Sequence, residues 1–133
     1  MIDGIATTLH LSFMLDEAVQ NTQEENIKNA FSLLAETGKL IRISELDMKI
    51  VDESGAEISA RDLTFDQEQK MSDFYKFVIS AYAQSIPASQ QGGITLWTIA
   101  DSNNVPNGLW SDKYVRKPVY AGFVDGLKTV GGR

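Results

Sequence analysis

The sequence contains no cysteine. That excludes a disulfide framework and any thiol nucleophile, and it leaves the redox compartment unmarked. No apolar run approaches the roughly 18 residues of a membrane span, so no membrane partner is expected. Positive charge is scarce: 12 Lys and Arg stand against 18 Asp and Glu, a net charge of −6. A nucleic-acid binder needs a basic footprint, so that class is set aside. The opening Met1-Ile2-Asp3-Gly4 has no basic segment ahead of an apolar stretch, so no signal peptide is expected. There is no internal repeat, low-complexity tract or linker. Histidine occurs once, at position 10.

What is present reads as one α/β domain over residues 1–133, long enough to bury a core. Ile5 to Phe13 reads as a strand. Ile5, Thr7, Leu9 and Leu11 share one face, suited to a helix layer, and Ala6, Thr8, His10 and Ser12 share the other. Thr22-Gln23-Glu24-Glu25 is a capping-box pattern that predicts a helix start. Ile27, Ala30, Phe31 and Leu34 then form its apolar stripe, and Gly38 closes it in the left-handed conformation. Leu40 to Asp47 is a second strand. Met48 to Leu63 reads as a polar connection. Thr64-Phe65-Asp66-Gln67 is a second capping box, opening a helix to about Ser85 with Met71, Phe74, Val78 and Ala81 buried. Gly93 to Ile99 is a third strand, and Pro118 opens a last helix through Tyr120, Phe123 and Leu127. Gly131-Gly132-Arg133 should fray. The order βαβαβα has crossovers long enough for parallel pairing.

Leu40-Ile41-Arg42-Ile43-Ser44-Glu45-Leu46-Asp47 opens apolar and ends in two carboxylates, which read by themselves either as solvated groups at the start of a loop or as candidates for chemistry. Glu45 and Asp47 are two apart, which puts both carboxylates on one face of a strand. His10 and Trp97 also fall near strand C-terminal ends, where parallel α/β sheets place function.

These residues resemble glycoside hydrolase family 10, the endo-1,4-β-xylanases. Arg42-Ile43-Ser44-Glu45-Leu46-Asp47-Met48 resembles its nucleophile segment, and Asp3 to His10 its D-G-I-G-x-Q-x-H strand. Ile94 to Asp101 resembles the T-x-W-G-x-x-D strand. Leu109 to Asp112 and Arg116 to Tyr120 resemble the family's closing motifs. The order and spacing agree across almost the whole chain.

The resemblance implies a partial TIM (β/α)8 barrel, its last three βα units, since a complete barrel needs roughly 200 residues or more. It implies a retaining glycosidase acting on xylan, a neutral polymer indifferent to the acidic balance. Glu45 would be the nucleophile, His10 its hydrogen-bond partner and Asp47 the group that orients His10. Trp97 would form a stacking wall under the sugar. Thr8 stands where the family has Gln, Val105 about where it has a second Trp, and Trp110 is close enough to fill some of that space. Thr8, Trp110 and Asp101 are therefore expected at the substrate. No metal and no cofactor are implied. The acid/base Glu of the family comes from an earlier strand with no counterpart here, so the chain is expected to be inactive alone. Secretion or periplasmic export is expected of the parent protein. An alternative is a non-catalytic xylan-binding or interaction module derived from such a barrel. A weaker third reading, an autonomous metal-binding domain, lacks a convincing ligand cluster. An isolated three-strand piece would expose two sheet edges and an uncovered face, so self-association or pairing with the missing barrel half is expected.

Overall fold

The computed structural model describes residues 1–130; the expected fraying of Gly131 to Arg133 lies outside them. Three strands, β1 (Gly4–Met14), β2 (Leu40–Val51) and β3 (Gln91–Leu96), form one parallel sheet in the order β1-β2-β3. Helices α1 (Glu17–Ala35), α2 (Phe65–Ser85) and α3 (Val119–Leu127) follow them in turn.

The helices gather on one face of the sheet. Ile41, Ile43, Leu46, Met48 and Ile50 of β2 are fully buried there, against Met71, Phe74, Tyr75, Val78, Ile79 and Tyr82 of α2. The Tyr82 hydroxyl donates to the Ile41 carbonyl at 2.6 Å, tying α2 to β2. Ile5, Leu9, Leu11 and Phe13 of β1 add to the same layer. Ala6, Thr8 and His10 face the other way and are exposed, as is Arg42, which donates to Thr95 at 2.6 Å. The sheet thus has a dry face under the helices and an open polar face.

The two faces are kept apart by one irregularity. Thr7 pairs with Ile43, but Thr8 pairs with Glu45, so Ser44 has no partner on β1. This is a β-bulge: two residues oppose one, and the alternation of faces slips by one position. Before it, odd-numbered Ile41 and Ile43 point to the helices. After it, even-numbered Leu46, Met48 and Ile50 do. Glu45, Asp47 and Lys49 are left on the open face.

The elements differ from sequence expectation in four places. Helix α1 starts at Glu17, not at Thr22. Asp16 is the N-cap and accepts from the Val19 amide at 3.1 Å, while the Thr22 hydroxyl donates back to Ala18 within the helix. Gln20 accepts from the Met14 amide and Gln23 donates to the Ser12 carbonyl, so the first turns are fastened to the end of β1. Ala30 is exposed, because α1 rests on the core along Ile27 and Phe31, with Leu34 and Ala35 partly buried beside them. Strand β2 continues through Met48 to Val51 rather than ending near Asp47, since Met48 and Ile50 find cover under α2. Strand β3 is displaced toward its start and ends at Leu96; Ile99 leaves the ladder, its carbonyl accepting from Leu109 and Trp110 instead.

Other expectations match. Thr64 caps α2 with both bonds of a capping box, and Pro118 precedes α3. Gly38 is left-handed as expected, with φ +66°, but α1 is capped by Glu36 and Gly38 lies two residues beyond that cap instead of directly after it. Helices α2 and α3 touch through Gly122. A Cβ built there would lie 1.9 Å from the Ser72 carbonyl oxygen, and the Gly122 amide donates to the Ser72 hydroxyl at 3.0 Å. Gly122→Ala should therefore destabilise the chain by about 1–3 kcal/mol through overpacking. Urea denaturation measures this, and a change below about 0.5 kcal/mol, the range of ordinary surface substitutions, would show that α3 is not tightly seated.

Candidate active site

The open face of β1 and β2 brings His10, Glu45 and Asp47 together. Register pairs His10 with Asp47 and Thr8 with Glu45. The His10 ring lies between the two carboxylates: Nδ1 is 2.7 Å from Asp47 Oδ1 and Nε2 is 2.9 Å from Glu45 Oε2. Both ring nitrogens can donate only as the imidazolium. The hydrogen bond to Asp47, and next the one to Glu45, accordingly raise the His10 pKa above its ordinary 6.5. Beyond Asp47, Lys49 continues the same face and pairs with Glu57 at 2.9 Å. A shallow cavity of about 260 Å³ is bordered by His10, Ser12, Asp47 and Lys49.

The two carboxylates are not equivalent. The Asp47 side chain is 8% exposed and both its oxygens are occupied, Oδ1 by His10 and Oδ2 by Asn107 at 3.2 Å. The Glu45 side chain keeps 34% exposure. Asp47 is a buried anchor; Glu45 is held by one oxygen and remains reachable. A carboxylate aimed by a charged donor and open on one side can act as a nucleophile or as a proton carrier.

Trp97 sits at the end of β3, its amide donating to the Leu46 carbonyl at 3.0 Å. Its ring meets His10 edge to face, with centroids 5.6 Å apart, and the residue is 57% exposed. A flat apolar surface therefore borders the carboxylates. Thr8 is exposed on β1 opposite Glu45.

Asp101 and Trp110 are engaged elsewhere. Asp101 is buried in an ion pair with Lys117 at 2.8 Å and also accepts from the Gly108 amide. Trp110 is half-buried and packs edge to face on Tyr120 at 5.2 Å. Neither side chain offers a sugar the free surface that Trp97 does, so their expected place at the substrate gains no support from the geometry. Conversely, sequence reasoning missed Asn107. Its Pro-Asn-Gly setting reads as a turn, and nothing local indicates that the side chain reaches a carboxylate on β2.

The sequence matches the model of glycosyl hydrolase family 10 over residues 1–126. The chain belongs to that family. It is 26% identical to the endo-β-1,4-xylanase Xyn10C of Cellvibrio japonicus over 144 aligned positions, covering 95% of this chain and 23% of that protein. Among solved structures it is similar to a mutant of Xylanase10C from Cellvibrio japonicus in complex with xylopentaose. There the TM-score is 0.78 at 23% identity, with 98% of this chain and 28% of the other covered. A thermostable mutant of Xyn10A from the same organism gives a TM-score of 0.75 at 26% identity, covering 95% and 40%. The chain thus spans about a quarter of the curated relative's length and well under half of the solved chains. Its three-stranded parallel sheet with helices on one face is a part of the family's barrel.

The raised His10 pKa has a testable sign. The protonated ring stabilises the fold; that contribution is complete below pH 6.5 and is lost as pH rises through the folded-state value. Since His10 is the sole histidine, its NMR titration is unambiguous. The midpoint should lie above 6.5 and should fall more in Asp47→Asn than in Glu45→Gln. A wild-type midpoint at or below 6.5 would contradict the two hydrogen bonds.

Proposed function

We propose that this chain forms the last three βα units of a retaining endo-1,4-β-xylanase barrel and supplies its nucleophile, Glu45. The observation that carries the reading is the chain of bonds from buried Asp47 through His10 to reachable Glu45, on the open face of parallel strands in a family 10 sequence. Glu45 attacks the anomeric carbon and forms a glycosyl ester. His10 holds the attacking carboxylate in position and balances its charge, and Asp47 fixes the ring. The exposed face of Trp97 stacks on a sugar ring beside them.

A retaining mechanism needs a second carboxyl group about 5–5.5 Å from the nucleophile to protonate the departing oxygen and then activate water. Asp47 is unsuited, being held by His10 and Asn107, and Asp101 is committed to Lys117. The acid/base residue comes from the remainder of the barrel. Without it the chain lacks a step worth roughly 10²–10⁴-fold and has no turnover of its own. Complementary barrel units would cover the open polar face and pair the free edges of β1 and β3. Half-exposed apolar Val19 of α1 and exposed Ile99 beyond β3 would then be covered. The substrate is xylan, and the parent protein acts outside the cell or in the periplasm.

A chimaera tests this reading: this chain replaces the matching segment of Cellvibrio japonicus Xyn10A, and reducing-sugar release from xylan is measured. The chimaera should be active and the chain alone inactive. Glu45→Gln should lower kcat by roughly 10⁴–10⁶-fold, as removal of a covalent nucleophile does. His10→Ala should cost less, roughly 10²-fold, because it aims the carboxylate without bonding to the sugar. Near-normal activity of the Glu45→Gln chimaera would remove Glu45 from the role.

A further inference from the structure

The loop after β3 ends in a buried fastening that the chemistry above does not use. Lys117, 7% exposed at its side chain, directs its ammonium at three acceptors: Asp101 Oδ1 at 2.8 Å, the Gly108 carbonyl at 3.0 Å and the Pro106 carbonyl at 3.3 Å. These use the three donors an ammonium has. Asp101 in turn accepts from the Gly108 amide at 2.8 Å, and the Lys117 amide donates to Leu109 at 3.0 Å. The backbone on both sides of Asn107 is therefore pinned. It is also pressed against Ala100: a Cβ at Gly108 would lie 2.3 Å from the Ala100 carbonyl carbon. Between the pinned carbonyls, the Asn107 side chain reaches out and donates to Asp47 Oδ2. Its own Oδ1 is buried without a hydrogen-bond partner among the described residues, so the amide's one bond is spent on Asp47.

We propose that Asn107 and Lys117 are positioning residues of the active site: Lys117 clamps the loop, and Asn107 locks the second oxygen of Asp47 so that the first stays on His10. The catalytic meaning of this rests on the reading of Glu45 as nucleophile; the positioning itself does not. A carboxylate held at one oxygen can swing about its χ2, which is a soft torsion. Held at both, Asp47 offers His10 a fixed acceptor, and the ring carries that fixity to Glu45. The charged groups that face His10 are Glu45 and Asp47, with Lys49 next along β2; β3 presents the uncharged Trp97.

The test uses the purified chain and the NMR signals of its single histidine, so it needs no turnover. In the wild type the Nδ1 proton should be protected from exchange and the ring titration raised above 6.5. In Asn107→Ala the Nδ1 proton should exchange faster, and the titration midpoint should move back toward 6.5. Asp101→Asn combined with Lys117→Met removes the clamp without leaving a lone buried charge, and should produce the same two changes. If that double variant fails to fold, Asn107→Ala decides alone, because residue 107 is only partly buried and the change leaves no charge unpaired. A folded Asn107→Ala chain with unaltered Nδ1 exchange and unaltered titration would overturn the proposal. Loss of the nucleophile reading would instead appear only in the xylan assay, with these NMR changes intact.

Discussion

The site depends on a slip of one residue in β2. A regular strand would keep Ile41, Ile43, Glu45 and Asp47 on a single face, because side chains alternate strictly. Two carboxylates would then lie under α2, in a layer where the neighbouring β2 residues are fully buried, and unpaired charge there is prohibitively costly. The unpaired Ser44 removes the conflict. It lets Leu46, Met48 and Ile50 take over the helix side while Glu45 and Asp47 turn to the open face. The Ser44 hydroxyl donates to the Thr7 carbonyl at 3.3 Å, which satisfies one backbone group beside the irregularity. Bulges gather next to active sites for this reason: they re-aim side chains without interrupting the sheet.

Once the carboxylates face outward, the surrounding polar groups grade them. Asp47 is buried and bound at both oxygens; His10 is shared; Glu45 is bound at one oxygen and exposed in part. The rigid end of this series is attached to the loop after β3, and the free end is open to solvent. Ribbon β1–β2 extends four or more residues beyond the last pair between β2 and β3, so the site lies where the sheet narrows from three strands to two. The open edges on either side are where a barrel of this family continues.

Much of this was legible in the sequence because local chemistry and tertiary role coincide. The Thr64 capping box, Gly38 at the end of α1 and the stripe on α2 each announce themselves through nearest neighbours on a helix. The site trio was legible through motif order, which places His10, Glu45 and Asp47 without any geometry. Other features depend on distant partners. Thr22 to Glu25 satisfies the capping pattern but lies inside a helix whose start is set by Asp16 and by bonds from Gln20 and Gln23 to β1. The end of β2 is hidden in the sequence because Asp47 and Lys49 interrupt its apolar residues, although those residues have already changed phase. That change, from 41 and 43 to 46, 48 and 50, is written in the sequence and marks the bulge. Asp101 and Lys117 each fall in a motif segment, but nothing local shows that they pair, and Asn107 carries no local pattern; a buried ion pair sixteen residues apart is visible only in three dimensions.

The central claim is that Glu45 is the atom-bearing end of this arrangement, the group that bonds to sugar. It is tested most directly by covalent trapping. From a fluorinated dinitrophenyl xylobioside the dinitrophenolate departs without protonation as the carboxylate bonds to the anomeric carbon, and the fluorine slows hydrolysis of the ester, so the glycosyl-enzyme accumulates. The chimaeric xylanase containing this chain is treated with the reagent, digested and read by mass spectrometry. The account predicts a single xylobiosyl label on the peptide containing Glu45, lost in Glu45→Gln. A label on Asp47, Asp101 or any residue outside this chain would contradict it.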